Sequence, residues 1–214
     1  MFFLMIVGII YVEQGQRRIP IQFAKRVRGR KVMGGQSTYI PLKVNSAGVI
    51  PVIFATSVLF FPALIATSLP QDNRVTAGIR NWIDVNLANS QGTSWFYIFF
   101  LGMLIIFFTY FYTTIQFDPV RQSDMIRRQG GFIPGVRPGI STTNYLSHII
   151  NRITLPGSVF LASVAVLPSI ASAIWDIPLG FSGISILITV GVALETMKQI
   201  ESQLSMRNYE GFID

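Results

Sequence analysis

The sequence predicts an all-α, multi-pass membrane protein with four complete transmembrane helices, the end of a fifth, and small hairpin and helical elements in its cytoplasmic loops. This fold class rests on the composition of the chain, the length of its apolar segments and the clustering of its basic residues. Of the 214 residues, 50% are hydrophobic and 13% are charged. A soluble domain devotes about 25% of its residues to charge, so this composition favours a chain that is mostly surrounded by lipid.

Four apolar segments are long enough to span a bilayer, which takes about 20 helical residues. They are 49–69, 95–117, 156–175 and 177–196, and their only ionisable Asp, Glu, Lys or Arg is Glu195, at the end of the last segment.

Residues 1–12 are also apolar, but a helix of this length reaches only about 18 Å. We expect this segment to be the end of a truncated transmembrane helix, and the chain to be a fragment of a longer protein.

The basic residues predict the orientation of the chain. Thirteen of the 17 Lys and Arg residues lie in two loops, 13–48 and 118–155, and two predicted spans separate these loops. Loops rich in Lys and Arg stay on the cytoplasmic side of a membrane. We therefore expect both basic loops and the tail, 197–214, in the cytoplasm, and the loop 70–94 on the external side.

The first basic loop, 13–48, is longer than a connection between two helices requires. We expect it to continue the preceding helix, with Ile19 and Ile21 on its apolar side. The segment 31–42 then predicts two short strands that form a hairpin around a Gly-Gly pair.

The second basic loop, 118–155, has a Pro- and Gly-rich centre at 130–139 that cannot form a regular helix. Ser141, Thr142 and Thr143 then offer N-caps for a helix that ends near Thr154. We interpret both basic loops as structured docking surfaces, and plain solvated connections are the alternative.

Several kinds of chemistry find no support in the sequence. The chain has no Cys, which excludes thiol chemistry and Cys-based metal sites. The interior of the spans offers no ionisable pair for a proton relay or an ion-coupled transporter. His148 is the only histidine, and we interpret it as an ordinary polar residue. We therefore expect neither enzymatic activity nor a cofactor or metal, and we expect a partner to supply the energy for any work.

One face of the span 49–69 mixes branched apolar residues with small hydroxyl residues. Its members are Val52, Ile53, Thr56, Ser57 and Phe60. Such a face borders a pore in some membrane proteins and packs against another helix in others. From these residues alone, helix packing is the preferred interpretation.

Several motifs in a fixed order resemble a known family. They are QRRIP at 16–20, STYIPLKVN at 37–45, AGVIPVIFA at 47–55, GFIPGVRPG at 131–139 and MRNYEGF at 206–212. Together with the predicted topology, they resemble the C-terminal half of the bacterial SecY family of protein translocase subunits. The resemblance covers essentially the whole chain.

The resemblance implies a ten-helix channel built from two halves. On this basis residues 1–12 are the end of the sixth helix, and the four spans are the seventh to the tenth. Such a channel conducts unfolded, signal-bearing polypeptides across the bacterial plasma membrane and releases hydrophobic segments sideways into lipid. The implied partners are the SecE and SecG subunits, the SecA motor ATPase, the ribosome with its RNA, signal-bearing chains and membrane lipids.

The resemblance also implies roles for individual residues. Ile53 and Ile188 match members of a pore ring, in which aliphatic side chains seal a channel by excluding water. The residues that match the lateral gate, where signal sequences bind, are Val52, Ile53, Thr56, Ser57 and Phe60. The residues that match the docking surface for the ribosome or the motor are Arg17, Arg18, Lys25, Arg26, Arg28 and Arg137.

Two other classes of protein stay open. Half of a secondary transporter also has repeated helices, but the lack of charge within the spans and the size of the basic loops count against it. A structural scaffold that binds a partner through those loops explains the loops, but it leaves the match to the pore ring unexplained.

Overall fold

The structure is a computed structural model, and it describes residues 2–23, 26–28, 31–33, 37–68, 74–87, 94–175 and 183–210. The described helices are α1 (Phe2–Gln14), α2 (Ile50–Ser68), α3 (Arg74–Asn86), α4 (Trp95–Gln116), α5 (Pro119–Arg128), α6 (Ile140–Trp175) and α7 (Gly183–Glu210). The described strands are β1 (Gln16–Phe23), β2 (Arg26–Arg28), β3 (Lys31–Met33), β4 (Ser37–Lys43) and β5 (Gly131–Phe132).

Within these ranges, four helices are long and apolar enough to cross a membrane. They are α2, α4, α6 and α7, while α1 is a shorter apolar helix. The predicted fold class, a multi-pass helical membrane protein with four spanning helices, is therefore confirmed.

We call α1, α2, α4, the part of α6 from Pro156 onward, and α7 the membrane bundle. Helix α4 packs against α2 and α6, and α7 packs against α1 and α6. The core of the bundle includes Val52 of α2, Leu101 and Ile105 of α4, and Leu187 of α7. Because Phe54 near the start of α2 packs against rings near the end of α4, these two helices run in opposite directions.

A close approach between α6 and α7 fixes the beginning of α7. Pro168 lacks an N–H group, so the carbonyl of Val164, one turn earlier, loses its usual helical donor. Gly183 lies against that carbonyl, and a Cβ atom at Gly183 would stand 2.5 Å from the oxygen. Only a residue without a side chain fits at this contact.

The first basic loop begins as a strand, so the predicted continuation of the helix was wrong. In β1, Ile19 and Ile21 are buried while their neighbours Arg18 and Pro20 are exposed. This alternation has the period of a strand, and the missing N–H of Pro20 disfavours a helix interior. The antiparallel partner of β1 is β4.

The two strands predicted within 31–42 exist as β3 and β4, but they do not pair with each other. Instead β3 pairs with β2, where Val32 lies opposite Val27, and β4 pairs with β1, where Ile40 lies opposite Ile19. The predicted hairpin partners were therefore wrong, and the Gly-Gly pair lies outside the described residues. Because β1 and β4 are far apart in the sequence, no local pattern predicts that they pair.

The two basic loops fold into one unit, because β5 from the second loop pairs with the end of β1. The sheet has the order β4-β1-β5. We call β1, β4, β5, the loop 133–139, α5 and residues 140–155 of α6 the basic cap. Its hydrophobic core is formed by Ile19, Ile21, Leu42, Ile126, Ile133, Leu146 and Ile149.

Helix α6 connects the basic cap to the membrane bundle. The helix predicted to start near Ser141 and the predicted span 156–175 form one continuous helix of 36 residues that passes through Pro156. A Cβ atom at Gly157 would stand 2.7 Å from the carbonyl oxygen of Val44. The end of β4 is therefore seated on α6 where the cap meets the bundle.

Candidate functional sites: the face of α2 and the basic cap

The apolar helix α2 has a buried side and an exposed side. Val52 is fully buried in the bundle core, whereas Ile53 is 45% exposed and Phe60 is 61% exposed. Val52 was predicted to share a contact face with Ile53, but the helical rotation between neighbouring residues places it on the packed side. In this structure Val52 is a packing residue, and Ile53, Ser57 and Phe60 follow one exposed face at helical spacing.

The hydroxyl groups of this face bond to the backbone of their own helix. Thr56 Oγ1 donates to the carbonyl oxygens of Val52 at 3.1 Å and Ile53 at 2.9 Å. Ser57 Oγ donates to the carbonyl oxygen of Ile53 at 2.8 Å. Because these donors are satisfied without an outside partner, an apolar segment can lie against the face without leaving them unpaired.

Val49, the residue before α2, lies beside Gly191 of α7, and we call this point the crossing. A Cβ atom at Gly191 would stand 3.4 Å from Val49 Cγ2, an ordinary packing distance. Helix α2 leads away from the basic cap. Helix α7 leads toward it, because its start at Gly183 lies beside Pro168, at the far end of α6.

Ile53 and Ile188 lie at a similar depth in the bundle. Ile53 follows Val49 by one turn of α2, and Ile188 precedes Gly191 by one turn of α7. Both residues are thus displaced roughly 5 Å from the crossing, in the same direction away from the cap. Ile188 is half-buried. The arrangement brings two branched aliphatic side chains from distant segments to one level.

The basic cap presents exposed arginines on β1. Arg17 and Arg18 are both exposed, and the guanidinium carbon of Arg18 lies 4.8 Å from the ring centroid of Tyr39 on β4. Strand β2 carries Arg26 and Arg28, whose side chains lie outside the described part of the chain. Lys25 also lies outside the described residues.

Arg137 is an exposed side chain on a braced backbone. Gly135 and Gly139 adopt φ angles of 83° and 112°, a region that favours glycine. The hydroxyl of Thr142 donates to the carbonyl oxygen of Arg137 at 3.0 Å, and that of Ser123 donates to the carbonyl oxygen of Gly139 at 3.1 Å. Both donors are buried, so the backbone that carries this arginine is held in place on the surface of the cap.

Sequence reasoning identified Arg137 but did not predict that Thr142 and Ser123 brace the backbone around it. Thr142 had a recognisable signal, since it belongs to the Ser-Thr-Thr run that begins two residues after the Pro- and Gly-rich segment. Ser123 had none, because only the folded chain brings α5 beside Gly139.

An open cleft with a volume of about 720 Å³ separates the start of β1 from α6. Its lining residues include Arg17, His148 and Arg152, and none of the described lining residues is acidic. The cleft is therefore suited to an anionic group. No local sequence pattern indicates this cleft, because His148 and Arg17 lie far apart in the chain.

Comparison with known proteins identifies the family of the chain. The SecY family model matches residues 1–197. The chain is 52% identical to the protein translocase subunit SecY of Streptomyces scabiei over 215 residues, which covers 98% of this chain and 47% of that protein. It is 49% identical to the corresponding Mycobacterium bovis subunit, covering 98% of this chain and 48% of that protein. The chain therefore belongs to the SecY family, and it spans about half the length of the curated relatives it matches.

Solved structures support the fold. One structure of a protein-conducting channel superposes with a TM-score of 0.60 at 17% identity, covering 94% of this chain and 47% of the other. A second, which concerns the plug domain and the closed state of SecY, has a TM-score of 0.56 at 16% identity and covers 94% and 48%. At these identities the likeness concerns the fold alone.

Proposed function

We propose that this chain forms one half of the channel of a Sec-type protein translocase. In this proposal it supplies one wall of a passive, gated pore that conducts unfolded, signal-bearing polypeptides across the bacterial plasma membrane. It also releases hydrophobic segments sideways into lipid. The observation that carries the proposal is the placement of Ile53 and Ile188 at one depth of the bundle, in a chain that belongs to the SecY family.

The pore in this proposal closes by excluding water. Ile53 and Ile188 contribute branched aliphatic side chains to a ring that offers ions nothing to replace their hydration shells. The ring yields to a polypeptide because its side chains are held by packing alone. The other half of the protein supplies the remaining members of the ring.

The exposed face of α2 is the proposed gate surface. Ile53, Thr56, Ser57 and Phe60 are its residues, and Val52 supports it from the packed side. A signal sequence is mostly apolar, and the internally satisfied hydroxyls allow it to lie along this face. The helix α4 packs behind α2 and completes this side of the gate.

The basic cap is the proposed docking surface, and positive-inside topology places it and the tail in the cytoplasm. The proposed docking residues are Arg17, Arg18 and Arg137 of the cap, together with Lys25, Arg26 and Arg28 of the segment that joins β1 to β4. Arginine and lysine pair with the phosphates of ribosomal RNA and with carboxylates on a motor protein such as SecA. The chain itself is not an enzyme in this proposal, and the complex also includes SecE, SecG and membrane lipids.

The pore assignment is tested by making the ring polar in the full-length protein. We expect Ile53→Ser or Ile188→Ser to raise the resting ion conductance of the reconstituted translocase on the order of 10-fold, because a polar constriction admits water. Planar-bilayer recordings provide the measurement.

Ile65→Ser is the matched control, since Ile65 is 49% exposed on the same helix but lies on a different side. An unchanged conductance in both ring variants, or an equal rise in the control, would remove the pore assignment.

A further inference from the structure

A buried asparagine joins the ends of two helices where the cap meets the bundle. Asn45 lies between β4 and α2 and is 6% exposed. Its side-chain Nδ2 donates to Glu13 Oε2 at 2.9 Å and to the carbonyl oxygen of Gly48 at 3.3 Å. Glu13 is half-buried in the last turn of α1. One amide group thus links the end of α1 to the turn that starts α2.

The side-chain oxygen of the same amide shows that this orientation has an energetic cost. Asn45 Oδ1 is buried without a hydrogen-bond partner among the described residues. Rotating the amide would place this oxygen against the carboxylate of Glu13, so the orientation that binds Glu13 also leaves the oxygen unpaired. A buried, unsatisfied acceptor costs free energy, and the bond to Glu13 is made in spite of that cost.

The turn that follows has a backbone conformation that favours glycine. Gly48 has a φ angle of 65°, and a Cβ atom added there would meet nothing within 4 Å. The preceding segment is firmly held, because the N–H of Val44 donates to the carbonyl oxygen of Gly15 at 2.9 Å and Val44 also rests on Gly157. The side chain of Asn45 therefore contributes to the direction in which α2 leaves this anchor, together with the packing of Pro51 and Val52.

We propose that Asn45 is a positioning residue that, through its bond to Glu13, holds the first turn of α2 and keeps the gate face in its resting orientation. This inference rests on the proposed function, in which α2 is a moving wall of the gate. Loss of the bond lets α2 swing about the Val44 anchor. The channel then opens more readily for chains whose signal sequences bind weakly.

The test uses the full-length translocase in proteoliposomes and a preprotein with a weakened signal sequence. Asn45→Asp turns both donated bonds into repulsions, one with Glu13 and one with the carbonyl of Gly48. We expect the ratio of translocated weakened preprotein to translocated unmodified preprotein to rise about 5-fold in this variant. When Glu13→Gln is added, the amide introduced at position 13 donates to the carboxylate introduced at position 45, while the carbonyl of Gly48 stays unpaired. We therefore expect the double variant to lose about half of the increase on a logarithmic scale.

Asn151→Asp is the matched control, since Asn151 is exposed on the part of α6 that belongs to the cap and the substitution adds the same charge. The inference would be overturned if Asn45→Asp left translocation of the weakened preprotein unchanged, or if the control variant raised it equally. It would also be overturned if adding Glu13→Gln did not reduce the increase.

If Asn45→Asp does not accumulate in the membrane, Glu13→Ala carries the test. It removes the acceptor at a half-buried position, and we expect a rise of about 2-fold; an unchanged ratio would overturn the inference. A failure of the proposed function would give a different result, because the unsubstituted protein would then translocate neither preprotein.

Discussion

The basic cap and the membrane bundle are stabilised in different ways. The cap collects small segments from two distant loops around an apolar core and fixes its loops with buried hydroxyl donors such as Ser123 and Thr142. The bundle relies on helix contacts close enough to require glycine, as at Gly183. The difference follows from the surroundings. The cap must satisfy its irregular backbone, whereas a spanning helix satisfies its own and needs only complementary shape.

Their exposed surfaces differ in the same way. The cap exposes arginines, including Arg17, Arg18 and Arg137. The bundle exposes large apolar side chains such as Phe99 and Phe107, which lipid or the other half of a SecY-like channel can cover. The surface of the cap is therefore suited to water and charged groups, and that of the bundle to an apolar environment.

Truncating a buried side chain of the cap core should have the largest effect on stability. Leu146 of α6 is fully buried in the cap core, so Leu146→Ala leaves a cavity and should cost about 3 kcal/mol of cap stability. Hydrogen exchange should rise in β1 and β5 while α4 stays protected. Ile140→Ala, at an 81% exposed site, serves as the control. Equal loss of protection in the cap and the bundle would show that they are one cooperative unit.

A methyl group at the contact between α6 and α7 tests the bundle. Gly183→Ala places a Cβ atom against the carbonyl of Val164 and should cost about 2 kcal/mol by overpacking. In Gly102→Ala the new atom meets nothing within 4 Å, and the same substitution should be neutral or slightly stabilising because alanine favours helices. Thermal unfolding in detergent measures both. Equal midpoints for the two variants would argue against glycine-dependent packing.

Reversing a charge on the surface of the cap should have the smallest energetic effect. Arg137→Glu should lower the rate of translocation about 10-fold, equivalent to about 1.4 kcal/mol, by repelling a carboxylate or phosphate of the partner. Thermal stability should not change, because Arg137 is exposed.

Arg127→Glu makes the same change at another exposed position of the cap, on α5. A similar loss in both variants would indicate a general effect of charge, and unchanged translocation in Arg137→Glu would contradict the docking role.

The sequence predicted the spanning helices because a bilayer imposes a length and a composition on each segment independently. It did not predict β1, whose partners β4 and β5 come from other parts of the chain. It also could not separate Val52 from Ile53, since α2 is apolar on all sides and offers no polar stripe to mark the exposed face. The roles of the predicted site residues stay predictions.

The sequence alone determined that this is a multi-pass membrane protein with two strongly basic loops, and its motifs indicated the family. Only the tertiary structure decided that the two loops form one cap, that Ile53 and Ile188 share a depth, and that Asn45 links α1 to α2. The physical reason is that hydrophobic length and charge are local properties of the chain. Strand pairing, helix crossing and buried hydrogen bonds depend on residues that meet only after folding.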